Sequence, residues 1–132
     1  YYLTDMVDIY VSMGEHVSAV CAEDFSEMLG INSRIQLATA TKVMQMRINE
    51  RLMAEGVTML DPNQVWVGPD VTVGRDCELL PLTMLWGKTA IGEDCIIGPN
   101  ATLIDVDVAS GARVENVKLE CMQVASDAID RK

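Results

Sequence analysis

The sequence predicts a mainly β protein: a parallel β-helix of hexapeptide repeats, preceded by a long helix and a helix-strand pair of α/β type. Three observations predict it. Aliphatic residues recur at every sixth place at Val67, Val73, Leu79, Leu85, Ile91, Ile97 and Leu103. Corner-forming residues keep fixed places between them, and a run free of Gly and Pro covers Arg34 to Glu55 just before the rhythm of six begins.

The opening segment has helical rhythm. Leu3, Met6, Val7, Tyr10 and Val11 recur at three and four, Thr4 or Asp5 is placed to cap, and Gly14 ends the run. His16 to Ala22 alternates Val17, Ala19 and Cys21 with Ser18, Val20 and Ala22, the pattern of a strand buried on both faces. Helix followed by strand reads as the last piece of an α/β domain. Tyr1 opens directly onto the helical run, with no basic leader or apolar signal segment, so the chain reads as the middle of a longer protein.

Ser33 stands where an N-cap belongs, and Gly56 supplies the stop, giving a helix of about six turns. Leu37, Ala40, Met44, Ile48 and Leu52 form its apolar stripe, with Arg47, Glu50 and Arg51 off the stripe in solvent. Standing between regions of different period, it reads as a connector. The expected division is 1–29 as the edge of the first domain, 30–58 as the connector helix and 59–132 as a partial β-helix.

Within the hexads the second place holds Gly68, Gly74, Gly92 and Gly98, and the fourth holds Asp70, Asp76, Asp94 and Asn100. Both residue types tolerate the dihedrals of a sharp turn. The fifth place is small or β-branched at Val71, Cys77, Thr83, Thr89, Cys95 and Ala101, and Pro69, Pro81 and Pro99 hold the third, where a corner has no ladder bond to lose. Three such rules in one register specify a β-helix in which three hexads make one triangular coil and the first-place aliphatics stack into the core. Beyond Leu103 the register slips, continuing through Val108, Val114, Leu119 and Val124, with Gly111 and Asp127 at corner places. These read as further, shorter coils. The sequence stops in mid-pattern, so the end is expected to lack a cap or to be covered.

Composition bounds the function. The 132 residues are one domain's worth of chain, 49% hydrophobic and 23% charged, which excludes a disordered, collagenous or disulfide-scaffold protein. A net charge of -10 with no basic stripe excludes an extended nucleic-acid backbone as partner. No run approaches the apolar length of a membrane span. Cys21, Cys77, Cys95 and Cys121 form no CxxC pair, which suits free thiols in a reducing cytoplasm.

Four strings occur in one order: YYLTDMV, LGINSRIQLA, INERLMAEGVTMLDP and the hexads. Together they resemble the bifunctional UDP-N-acetylglucosamine diphosphorylase and glucosamine-1-phosphate N-acetyltransferase enzymes of bacterial cell-wall precursor synthesis. The resemblance implies a left-handed coil, a homotrimer and a cytoplasmic enzyme. It also implies that residues 1–29 complete a nucleotidyltransferase domain that joins UTP to N-acetylglucosamine 1-phosphate with magnesium. Later coils of the parent would transfer acetyl from acetyl-CoA to glucosamine 1-phosphate. The family's nucleotide loop and magnesium-binding residues fall upstream of Tyr1, and its acetyltransferase base is a His in a late coil. No catalytic, cofactor-binding or metal-binding residue is therefore carried over onto this chain, which is expected to be inactive alone. The alternative is a non-catalytic trimerisation module of a monofunctional nucleotidyltransferase, motivated by the slip after Leu103.

Individual residues carry sharper and plainer readings. His16, the one histidine, lacks ligand partners at a metal spacing and reads as a surface residue. Cys77 and Cys95, one coil apart, are expected to stack on adjacent rungs; a disulfide or soft-metal pair competes with the favoured reading of two small buried thiols. Trp66 and Trp86 face outward, against the connector helix, a neighbouring subunit or a sugar. Met44, Met46 and Met53 read as core filler, and Asp105 with Asp107 as a solvated turn in preference to a metal site.

Overall fold

The computed structural model describes residues 2–126, so the corner place assigned to Asp127 lies outside the described residues. The chain divides into two units, Tyr1–Gly30 and Ile31–Lys132.

In the first unit, helix α1 (Asp5–Ser12) begins after Thr4, whose side chain makes no capping bond. Gly14 ends it with φ +77, a left-handed turn that costs glycine no steric clash. Phe25–Met28 forms a single 3-10 turn capped by Asp24, which accepts from the Ser26 N–H. The expected strand over 16–22 is absent: these residues are exposed and without regular structure. A buried strand needs a ladder on each side, and no other strand of this unit offers one, so alternation alone leaves its backbone to water.

The second unit opens with helix α2 (Arg34–Ala54). Ser33 caps it by accepting from the Gln36 N–H, and the Gln36 amide reaches back to accept from the Asn32 N–H. The chain leaves α2 through Gly56 at φ +104 and enters twelve short strands. They are β1 (Thr58–Met59), β2 (Val65–Val67), β3 (Thr72–Val73), β4 (Glu78–Leu79), β5 (Thr83–Trp86) and β6 (Ala90–Ile91), then β7 (Ile96–Ile97), β8 (Thr102–Ile104), β9 (Asp107–Val108), β10 (Arg113–Val114), β11 (Lys118–Glu120) and β12 (Gln123–Val124).

Every third strand pairs in parallel, giving three four-stranded sheets: β1-β4-β7-β10, β2-β5-β8-β11 and β3-β6-β9-β12. This is the expected solenoid of stacked coils. The strands are short because each backbone group pairs with the coil above or below, so a strand needs no length to satisfy its polar atoms. The register is that of the hexads: Val67 lies over Leu85 and Leu85 over Leu103, while Leu79 lies over Ile97 and Ile97 over Val114.

The hexads bury their first-place and fifth-place side chains, Val73 alone among the first-place aliphatics from Val67 to Leu103 being only partly buried. First-place Leu79, Leu85, Ile97 and Leu103 are fully buried, and so are fifth-place Cys77, Thr83, Thr89, Cys95 and Ala101. The fifth place lies next to a corner where the interior narrows, which is why it takes small residues. Thr83 and Thr89 are admitted because their hydroxyls donate to the carbonyls of Leu80 and Trp86 at 2.7 Å. The fourth place supplies the corner: Asp76, Asp94 and Asn100 hold φ of 58, 56 and 54.

The slip after Leu103 has a structural cause. Leu85 and Leu103 are eighteen residues apart, but Leu103 and its partner Leu119 are sixteen apart, because the last coil turns its corners with fewer residues. Val108, Val114 and Val124 still point inward and are buried.

Helix α2 packs on β2 by a face the hydrophobic stripe does not anticipate. Ile48 and Leu52 are buried as expected, but their companions are Gln45 and Asn49, while Leu37 and Met44 are exposed. The two amides win because the turn before β2 presents carbonyls that no strand pairs. Gln45 Nε2 donates to Val65 O at 2.6 Å and to Asn63 O at 3.2 Å, and Asn49 Nδ2 donates to Pro62 O at 2.8 Å and Val65 O at 2.9 Å. Arg47, Glu50 and Arg51 face solvent.

Candidate functional site

Among the described residues, no three His, Cys, Asp or Glu side chains converge as metal ligands. His16 is exposed in the first unit. Asp105 does not act with Asp107 as a ligand pair: it sits at a corner with φ 53, and its carboxylate accepts from the Lys88 N–H of the coil above at 2.8 Å. Gly87 beside it turns at φ +63, a conformation that favours glycine, and a Cβ there would run into the Asp105 carboxylate.

Cys77 and Cys95 stack on adjacent rungs as free thiols inside the core. Each already has hydrogen-bond partners. Cys77 Sγ donates to Gly92 O at 2.9 Å and accepts from the Cys95 N–H at 3.4 Å, while Cys95 Sγ donates to Ala109 O at 3.3 Å. Burial pushes the Cys77 thiol up to about 11, so the nucleophilic thiolate is suppressed at neutral pH. Cys21 and Cys121 are exposed. In the native protein a thiol-exchange reagent such as DTNB is therefore expected to titrate two thiols quickly and Cys77 and Cys95 only after unfolding. Four fast thiols in the native state would contradict this packing.

An open groove of about 730 Å³ lies where the C-terminus of α2 meets the first corners of the coil. Glu55, Arg75 and Glu93 give it mixed charge, and its lining holds no Ser, Thr, Cys or His. Its own lining therefore offers carboxylates and a guanidinium, but no hydroxyl, thiol or imidazole.

The three sheets differ on their outer faces, and this is where the molecule presents a surface suited to recognition. On the first sheet the outward column is Thr58, Glu78, Ile96 and Arg113, and on the third it is Thr72, Ala90, Asp107 and Gln123. On the second sheet one column runs Trp66, Met84, Thr102 and Lys118, with Trp86, Ile104 and Glu120 beside it. The upper three rungs of this face are uncharged, and its last rung closes with the ion pair of Lys118 and Glu120 at 2.6 Å.

Its two tryptophans do different things. Trp66 is half-covered by α2, with the Lys42 ammonium 5.5 Å from its ring centroid and also donating to Asn63 O. Trp86 is 38% exposed and rests where a Cβ on Gly68 would meet its ring at 3.3 Å. The methionines of α2 divide likewise: Met53 packs on the core, and Met44, expected as core filler, is exposed. Leu37 and Met44 stay exposed because the packing face of α2 is shared by the two amides with Ile48 and Leu52.

Parallel coils of six-residue period with small fifth-place residues define the class of hexapeptide-repeat β-helix proteins. Residues 70–105 match the family "Bacterial transferase hexapeptide (six repeats)". The chain is similar to proteins named "Bifunctional protein GlmU". It is 49% identical to that of Caldanaerobacter subterraneus subsp. tengcongensis over 86% of this chain and 25% of the relative. It is 39% identical to that of a Geobacillus species, over 96% of this chain and 28% of the relative. With that of Clostridioides difficile it shares 40% identity over 88% of this chain and 25% of the relative. The chain thus spans about a quarter of the length of the curated relatives it matches. The resemblance carried by the four strings is borne out. Among the described residues, no helix is long and apolar enough to cross a membrane.

Proposed function

We propose that this chain is the linking and assembling segment of a cytoplasmic sugar-nucleotide enzyme whose parent makes UDP-N-acetylglucosamine from UTP and N-acetylglucosamine 1-phosphate. In the same parent, further coils transfer acetyl from acetyl-CoA to glucosamine 1-phosphate. The observation that carries this reading is the likeness to proteins named as bifunctional, at up to 49% identity over most of this chain but only a quarter of theirs. The chain's own residues support a structural role. The described carboxylates, thiols and imidazole do not converge, so they do not fit a magnesium site, and no step is routed through that ion here.

What the segment does mechanically follows from its packing. Gln45 and Asn49 bolt α2 to the turn before β2, so the helix and the first coil move as one piece. The outer face of the second sheet, uncharged over its upper three rungs, is the surface on which three copies assemble, closed symmetry being the ordinary way to hide a repeated apolar patch.

Two measurements test the reading together. The purified 132-residue chain is expected to turn over neither UTP with N-acetylglucosamine 1-phosphate nor acetyl-CoA with glucosamine 1-phosphate, and multi-angle light scattering is expected to give about three times 14.5 kDa. Turnover by the chain alone overturns the assignment of a linking role. A stable monomer over a wide concentration range overturns the assembly.

A further inference from the structure

The corner that leads into β5 departs from its neighbours. In the two coils below, the same place is held by Asn100 and Asn116 at φ 54 and 52, and their amides bond each other, Asn100 Nδ2 donating to Asn116 Oδ1 at 3.2 Å. Asparagine suits this position because its short polar side chain tolerates the left-handed conformation. The coil above them has Leu82 at φ 62. Its N–H continues the ladder by donating to Gln64 O at 3.0 Å, but a leucine side chain can neither join the amide stack nor relieve the backbone.

Nor is Leu82 compensated by burial. Its side chain is 54% exposed, and two further exposed apolar residues follow on β5, Met84 at 41% and Trp86 at 38%. A strained backbone holding an apolar side chain in water has no return within the protomer. A return from outside explains both features at once.

We propose that Leu82 is a docking residue for a second copy of this chain, held in the left-handed corner so that it enters the neighbour together with Met84 and Trp86. The inference rests on the trimeric reading above and names the residue that secures it. Charge selects the occupant. Each copy carries -10, so two copies repel wherever their acidic surfaces approach. The upper three rungs of the second sheet carry only uncharged side chains, Trp66, Met84, Thr102, Trp86 and Ile104, with the Lys42 ammonium of α2 set over Trp66 at their top edge. A basic partner, by contrast, would be drawn to the acidic surfaces and not to this face.

The test exploits two effects of opposite sign. Leu82→Asn and Leu82→Gly both relieve the corner and both remove the apolar anchor. In sedimentation equilibrium on the 132-residue chain, the apparent dissociation constant of the trimer is expected to rise at least tenfold in both variants. In urea unfolding, at a dilution where the unsubstituted chain is monomeric, their midpoints are expected to equal or exceed its own. A trimer that dissociates within twofold of the unsubstituted one overturns the role of Leu82 and leaves the trimer standing. An unsubstituted chain that is monomeric at every concentration overturns the trimer and this inference together. Midpoints lowered in both variants would mean that Leu82 stabilises its own protomer, and would also overturn the inference.

Discussion

Leu85→Ala is expected to lower the free energy of unfolding by about 2–5 kcal/mol, at the upper end for a buried leucine in a site that cannot close. Leu85 is fully buried, with Val67 above it and Leu103 below it in register. The walls around it are three hydrogen-bonded sheets, and no wall moves inward without breaking ladder bonds to the coils on either side. The cavity left by three missing heavy atoms therefore persists, which is the condition under which large-to-small substitutions cost most. Ile91→Ala, at a position 4% exposed, is expected to cost about 2–4 kcal/mol. Lys88→Ala and Glu93→Ala change exposed side chains and leave their backbone N–H bonds to Asp105 and Ser110 in place, so each is expected to stay within about 0.5 kcal/mol. Urea unfolding at one fixed oligomeric state measures all four. Equal losses at the four sites would contradict the inward and outward assignment of the hexads.

The hexads were legible because three separate physical demands write to the same register. The interior wants an aliphatic at the first place, the narrow end wants a small residue at the fifth, and the corner wants a residue that accepts positive φ at the fourth. Leu82 hides from that reading because it meets the geometry of the corner without its usual residue type. The packing face of α2 was misread for a related reason: periodicity ranks side chains by polarity, whereas Gln45 and Asn49 are buried for the carbonyls they satisfy. Their Nδ2 and Nε2 groups are paired, yet Gln45 Oε1 and Asn49 Oδ1 are buried without a protein partner among the described residues, a cost no polarity scale would propose. The segment 16–22 shows the converse error, since its alternation is real but a strand exists only where another strand supplies its ladder. Of the candidate surface, Trp66 and Trp86 were visible as outward places. That the second sheet is uncharged over its upper three rungs required the pairing of Met84, Thr102 and Ile104 across coils.

Gly92→Ala is expected to cost about 3 kcal/mol or more, beyond the ordinary penalty for crowding a packed interior, because the added atom meets backbone that is already committed. A Cβ on Gly92 would lie 2.5 Å from Ser110 N and Oγ and 2.8 Å from Ser110 Cα. The same stacking repeats one coil higher, where a Cβ on Gly74 would lie 2.6 Å from Gly92 O. Neither glycine is there for its dihedral freedom, since positive φ is confined to others such as Gly87 and Gly111. They are there because successive coils pass at this corner with no room for a side chain. Ladder bonds fix that spacing: the Gly74 N–H donates to Ile91 O and the Gly92 N–H to Val108 O, both at 2.9 Å, and the Glu93 N–H donates to Ser110 Oγ at 2.9 Å. Relief requires Ser110 to move as backbone, which breaks those bonds, so Ser110→Gly is not expected to rescue Gly92→Ala. Gly111→Ala supplies the comparison. Its Cβ would meet nothing within 4 Å, but φ +78 remains unfavourable to alanine, so about 1–2 kcal/mol is expected. Thermal and urea unfolding of the two variants, each against the unsubstituted chain, decide the matter: equal losses, or recovery on adding Ser110→Gly, would show that the coils do not approach as closely as this packing requires.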